Sequence, residues 1–389
     1  MELNIAALCR MAAEEATGWR RHFHEYPELS FEEYATTAFI QEHLERFGGF
    51  SIHRPAETGL VAVLHGAKPG KTLAFRADID ALPIQEDCRN DPCSKIPGVM
   101  HACGHDGHAA ALLGAAKVLS SLPRELYGEL RFFFQPAEEK QPGGAQSIVD
   151  AGWMNGVDII YGMHFQSQEE VGTIWMKKGP LLAATYTFDI SLRGKGTHAA
   201  FPHLGTDTIL AAAHLTAALD QIPARNIDPT ARALLTVSSI QGGNSYNSLP
   251  EEVFLRGTIR ILDRRCENTL LEHIRQATQG IETLYGVSST VKIEQGYGIL
   301  ENDPATVERA TQILAGHFGQ ESIFEPPAAL GGEDFSAYLK CAPGCYYRIG
   351  ARKRKSDGSY YPSHQSRHEI NDRALEQAIA CTVYLALET

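Results

Sequence analysis

Nowhere does this 389-residue sequence hold a run of the roughly 18 apolar residues that a membrane span requires. A secretory signal pattern is missing too. The opening MELNIAALCRMAAEEATGWRRH is broken by acidic residues and Arg10, with no basic region ahead of an apolar core. A cytoplasmic protein is the expectation. Positive charge is short: 35 Lys and Arg face 47 Asp and Glu, for a net charge of −12. That balance argues against nucleic acid or an anionic membrane as a partner. The eight cysteines, at 9, 88, 93, 103, 266, 341, 345 and 381, show no disulfide framework. In a reducing compartment most read as small buried hydrophobes. Internal repeats and low-complexity tracts are absent. What is present is an ordinary globular composition, 43% hydrophobic, which can fill a large core without staples. The length allows roughly two to three domains.

Hydrophobic spacing predicts helices over residues 3–24 and 30–49, the second closed by two glycines. Short apolar runs then alternate with helical patterns. GLVAVLHG, KTLAFRAD, GELRFFFQP and VDIIYGMHF read as strands, and DGHAAALLGAAKVLSSL and GAQSIVDAG as helices. That is the rhythm of a sheet with helices on its faces. From about residue 182 the character changes. YTFDISLRGKG, ARALLTVSSIQGG, EEVFLRGTIRIL and SSTVKIEQGYG alternate like half-exposed strands. With two interleaved helical runs they give a β-α-β-β-α-β order, which is ferredoxin-like. The expected organisation is one discontinuous α/β domain, 1–181 and 295–389, with a small α+β domain, 182–294, inserted.

GVMHACGHDGHAAALL packs His101, Cys103, His105, Asp106 and His108 into eight positions before an apolar run. Thiolate and imidazole are standard ligands of borderline-soft divalent metals. Alone, the stretch leaves Cys103 open as core filler, disulfide half, nucleophile or ligand. Three further places share its chemistry. Glu138 and Glu139 follow one strand, His164 follows another, and His364 follows the loop after CYYRIG. In open α/β sheets, ligand sites gather at the carboxyl ends of strands. Each residue has a mundane explanation by itself; Glu138 and Glu139 suit a solvated turn, and His164 a core histidine. Together they favour a metal site.

The chain resembles, over its whole length, the metal-dependent amidohydrolase family of hippurate hydrolases, N-acyl-amino-acid amidohydrolases and auxin-conjugate hydrolases. It is more distantly similar to aminoacylase and glutamate carboxypeptidase. The resemblance rests on RADIDALPIQE (76–86), MHACGHDGH (100–108), QPAEE (135–139), GMH (162–164), GKGTHAAFPH (194–203), NSLP (247–250), GTIR (257–260) and GGEDFS (331–336). It implies an α/β, phosphorylase/hydrolase-like zinc-peptidase catalytic domain, its central sheet flanked by helices. The inserted ferredoxin-like domain would serve for dimerisation and as a lid. Two divalent metal ions, Zn²⁺ or Mn²⁺, would be held by Cys103, His105, Glu139, His164 and His364. The family usually reads His-Ser-Pro-x-Phe where this chain reads His364-Gln-Ser-Arg-His368, so His368 stays open as the last ligand.

The implied reaction is hydrolysis of N-acyl-amino acids, or related amide conjugates, by metal-activated water with Glu138 as general base. An N-acetyl-diaminopimelate-type deacetylase or a dipeptidase is the alternative. A non-catalytic binding homologue ranks last, because no member of the ligand and base set is lost. Asp80 and Asp106 are candidate carboxylates for orienting ligand histidines. His198 resembles the residue that family members send from a partner subunit to the oxyanion, which implies a homodimer. Asn247 and Arg260 are candidate substrate-binding residues. Arg260 would clamp a carboxylate, or else form a structural ion pair.

Overall fold

A computed structural model describes residues 4–88, 92–355 and 357–389. It divides into two compact units. The larger comprises Met1–Gly179, Glu301–Pro327 and Asp334–Thr389; the smaller comprises Pro180–Leu300 and Ala328–Glu333.

The larger unit opens with helix α1 (Ile5–Glu25), capped by the Asn4 side chain, and helix α2 (Tyr34–Phe47). Strands β1 (Phe50–His53), β2 (Leu60–His65) and β3 (Lys68–Asp78) follow. Helix α3 (His105–Ser120) leads to β4 (Tyr127–Gln135) and β5 (Ile159–Gln166). The eight-stranded sheet runs β1-β2-β4-β3-β5, then Gly344–Gly350, Ile174–Trp175 and Ile323–Phe324. Its centre is parallel: β4 with β3, β3 with β5, and β5 with Gly344–Gly350. Strands buried on both faces need unbroken apolar runs. The Phe132–Phe134 stretch is accordingly buried; the last six residues of β3 are buried too, with the charges of Arg76 and Asp78 paired to each other.

Fourteen of the sixteen residues of α3 are buried, so it is an interior helix, apolar on nearly every side. Gly104 precedes it at φ +89, a left-handed conformation that glycine adopts without strain. Gly107 sits where an added Cβ would lie 2.5 Å from Ile370 Cδ1. The final helix, Ala374–Glu388, packs its Leu375, Ile379 and Val383 into the same core.

The smaller unit has one four-stranded antiparallel sheet. Its order is Ala233–Gly242, Glu252–Ile261, Ala184–Arg193, Ser288–Gln295. Helices Thr208–Arg225 and Glu267–Tyr285 complete the β-α-β-β-α-β order. Its core centres on Phe188, Leu215, Leu255 and Ile274.

Two expectations need correction. The smaller unit runs to Leu300 rather than 294, and it also takes in Ala328–Glu333 from the expected 295–389 segment. Backbone hydrogen bonds hold them there: Ala183 N–H to Gly331 O, and Ala329 N–H to Leu181 O, both 2.9 Å. The cysteines also divide differently. Cys88 and Cys93 form a disulfide, and Cys341 is exposed.

Candidate metal centre

Three loops at the carboxyl ends of the parallel strands, and the end of β5 itself, converge in the larger unit. The α3 loop brings Cys103, and His105 is the first residue of the helix itself. Glu138 and Glu139 follow β4 through Ala137, whose φ of +52 turns the chain sharply. Ala137 N–H donates to Glu33 Oε1 at 2.8 Å, which secures that turn. His164 lies near the end of β5. His364, at φ +64, is held against the α3 loop by its N–H to Ala102 O at 2.7 Å.

Ligand atoms of Cys103, His105 and His164 lie within 4.8 Å of one another. So do those of Cys103, Glu139 and His364, and those of His105, Glu138 and Glu139. Cys103 Sγ is 3.4 Å from His164 Nε2, and His364 Nε2 is 3.0 Å from Glu139 Oε1. It is His364 that joins this cluster; His368 is buried, with Nδ1 3.3 Å from the Tyr361 carbonyl.

Tautomers follow from partners. His105 Nδ1 faces Asp80 O at 3.0 Å and Asp80 Oδ1 at 3.1 Å, so it carries the proton. His105 Nε2 is left buried with no hydrogen-bond partner. A buried lone pair without a partner is costly, and a divalent cation between the clustered side chains would satisfy it. The donor set of thiolate, imidazole and carboxylate suits such an ion. These residues therefore fit a metal.

Asp80 accepts from His105, from Ser30 Oγ at 2.7 Å and from Glu139 N–H at 3.0 Å. Burial alone would raise its pKa, but these bonds hold it below the usual carboxylate value. Asp80 thus sits where an orienting carboxylate should. Asp106 does not. It bonds Arg20 Nη1 and His24 Nδ1, each at 2.9 Å, and neither belongs to the cluster. The reason is helical geometry: positions one apart face about 100° away from each other, whereas positions three apart share a face. His108, not Asp106, therefore accompanies His105.

The Arg20–His24–Asp106 group has its own consequence. Burial would lower His24, but its bonds to Asp106 and Glu86 raise it to about 9. A group raised above its unfolded value near 6.5 stabilises the fold fully below that pH. The contribution is lost as pH rises through 9, and amounts to about 3 kcal/mol at most. Wild type should therefore lose more unfolding free energy between pH 6.5 and 9.5 than His24→Gln does, measured by urea denaturation. Equal losses would contradict the assignment.

His198, Asn247 and Arg260 lie in the smaller unit. His198 is exposed on a two-residue strand, paired with Ser248, and its Nδ1 accepts from Ala200 N–H at 3.1 Å. Asn247 O accepts from Ala199 N–H, which brings Asn247 beside His198. Arg260 is half-buried on Glu252–Ile261 and bonds the Ile259 carbonyl at 3.1 Å. Among the described residues it forms no ion pair, so its guanidinium stays available to an anion.

A sequence model of peptidase family M20/M25/M40 matches residues 74–388. The chain belongs to this family. Among M20 relatives, it is 44% identical to an N-acyl-L-amino acid amidohydrolase of Geobacillus stearothermophilus, over 73% of this chain and 76% of that one. It is 39% identical to an N-acetyl-L-cysteine deacetylase of Bacillus subtilis, over 94% and 86%. The solved structure of the Bacillus subtilis YXEP protein, a dinuclear metal binding peptidase from the M20 family, aligns with a TM-score of 0.85 at 33% identity. It covers 97% of this chain and 98% of that one. The family and fold expected from the motifs are borne out.

Sequence reasoning missed a second buried group of this M20 chain: Arg76, Asp78, His108, Gln135 and Asp334. All lie in motifs that carried the resemblance. One signal was readable, the i, i+3 spacing of His105 and His108.

Proposed function

We propose that the protein hydrolyses the amide bond of N-acyl-amino acids to a carboxylic acid and a free amino acid, using two divalent metal ions per chain. The observation that carries it is the meeting of Cys103, His105, Glu139, His164 and His364 around one cluster, with Glu138 beside it. The amidohydrolase and deacetylase relatives support the reaction class.

When bound, the two cations supply carbonyl polarisation and a water acidic enough to react near neutral pH. Zn²⁺ and Mn²⁺ both suit the mixed donor set. Glu138 takes the proton from the attacking water and passes it to the leaving nitrogen. Asp80 holds His105 in the tautomer that turns its Nε2 lone pair to the cluster. Arg260, half-buried and without an ion pair, clamps the free carboxylate. His198 donates to the developing oxyanion, and Asn247 binds substrate beside it. A thiol nucleophile is disfavoured, because burial pushes Cys103 up to about 12.

A homodimer, with His198 serving the metal centre of a second copy, extends the proposal. No helix among the described residues is long and apolar enough to cross a membrane.

The test is amine release from N-acetyl-, N-benzoyl- and indolylacetyl-amino acids, with N-acetyl-diaminopimelate and dipeptides alongside. It is run on size-fractionated protein with added Mn²⁺, with added Zn²⁺ and after chelation. Turnover that chelation abolishes, eluting at the mass of two chains or more, is the expected result. Turnover that survives chelation would contradict the metal. Activity eluting as a single chain would remove the partner's part.

A further inference from the structure

The missed group forms one connected network. Arg76, buried on β3, donates to Asp78 Oδ2 at 2.6 Å, to Gln135 Oε1 at 2.8 Å and to Asp334 Oδ1 at 2.7 Å. Gln135 Nε2 donates to Asp334 Oδ2 at 2.7 Å, and Tyr338 Oη to Gln135 Oε1 at 3.0 Å. Asp78 is fixed at its other oxygen as well. Oδ1 lies 2.5 Å from His108 Nδ1. The far side of the His108 ring, Nε2, takes the backbone N–H of Phe165 at 2.9 Å. The carbonyl of Phe165 in turn lies 2.6 Å from His164 Nδ1.

Every proton in this chain is determined. An amide N–H can only donate, so His108 Nε2 is an acceptor and its proton sits on Nδ1, facing Asp78. A carbonyl can only accept, so His164 carries its proton on Nδ1. Its Nε2 lone pair is then the atom that faces Cys103 Sγ. The need for His108 is topological. β3 pairs with β5 as far as Gly162, and Phe165 lies three residues beyond. The His108 ring supplies the acceptor that the neighbouring strand no longer offers at that depth.

We infer that His108, anchored through Asp78 on Arg76, is a positioning residue. It locks the Phe165 peptide and thereby aims His164 Nε2 at the metal centre. The inference rests on the proposed two-metal site. Asp78, His105 and His108 are also close enough to hold an ion themselves. Against that, both His108 nitrogens are already engaged, and Asp78 is bound to Arg76.

The experiment is Co²⁺ titration of chelator-stripped protein, read by calorimetry and by the visible absorption of the bound ion, with a thermal melt of the metal-free protein alongside. Wild type should bind two equivalents. In His108→Leu one equivalent should weaken by about 10- to 100-fold, the scale for losing a residue that orients a ligand, with an altered spectrum. The other equivalent should titrate as in wild type. His108→Gln keeps an acceptor near the Nε2 position and should recover to within a few-fold. If His108→Leu does not fold, Asp78→Asn keeps the shape with a weaker acceptor and should loosen the same site several-fold.

Unchanged binding of both equivalents in the folded variant would overturn the positioning role while leaving the metal site intact. Complete loss of one equivalent in both His108→Leu and His108→Gln would make His108 a ligand and overturn it as well. Failure of wild type to bind two equivalents would bring down the proposed site and this inference together.

Discussion

Glu138→Gln protein should retain its full metal content and lose about 10²–10⁴-fold in kcat, the usual scale for removing an acid–base group. Glu138 is 8% exposed and follows a left-handed turn that the Glu33 carboxylate fastens. Its position is thus set by the backbone and survives an isosteric change. A carboxamide keeps the shape and can still hold a water, but it cannot accept the water's proton. Metal analysis and steady-state rates on the same sample separate the two roles. Unchanged turnover would remove Glu138 as the base; lost metal would make it a ligand.

Removing the thiol should act on the other side of the site. Cys103→Ala is expected to weaken metal binding by at least about 10²-fold, beyond the range seen for residues that merely orient a ligand. Activity should fall with occupancy. Cys103 belongs both to the group with His105 and His164 and to the group with Glu139 and His364. It is the member that joins them. Burial, reinforced by the nearby Glu139 carboxylate, pushes the thiol up to about 12. Uptake of a cation must therefore displace its proton. Full occupancy of both sites in the variant, measured by elemental analysis after gel filtration, would show that Cys103 is not a ligand.

The strands and helices that position the centre could be read from hydrophobic spacing, because the central strands are buried on both faces and α3 is interior. The rule that ligand sites gather at strand ends then led to His164 and to the Glu138–Glu139 pair. The partners that orient these groups were harder to read. Asp80 was readable because it follows the end of β3, at Asp78, by two residues. Asp106 adjoins His105 in sequence, but the helix turns it away, towards Arg20 and His24. The Asp78–His108–Phe165 connection spans 30 residues in one step and 57 in the next. It depends on where β3 stops pairing with β5, which local pattern does not encode. The return of residues 328–333 to the smaller unit was hidden for the same reason. It is made by backbone hydrogen bonds to Leu181 and Ala183, about 150 positions earlier, and side-chain periodicity carries no trace of them.

The most direct test of the two-metal centre is anomalous diffraction from crystals of the protein grown with Mn²⁺ or Zn²⁺, recorded on both sides of the metal absorption edge. The account predicts two peaks a few ångströms apart, enclosed by Cys103, His105, Glu139, His164 and His364, with Glu138 facing the space between them and His108 outside both coordination spheres. A single peak, or peaks bound elsewhere, would contradict it.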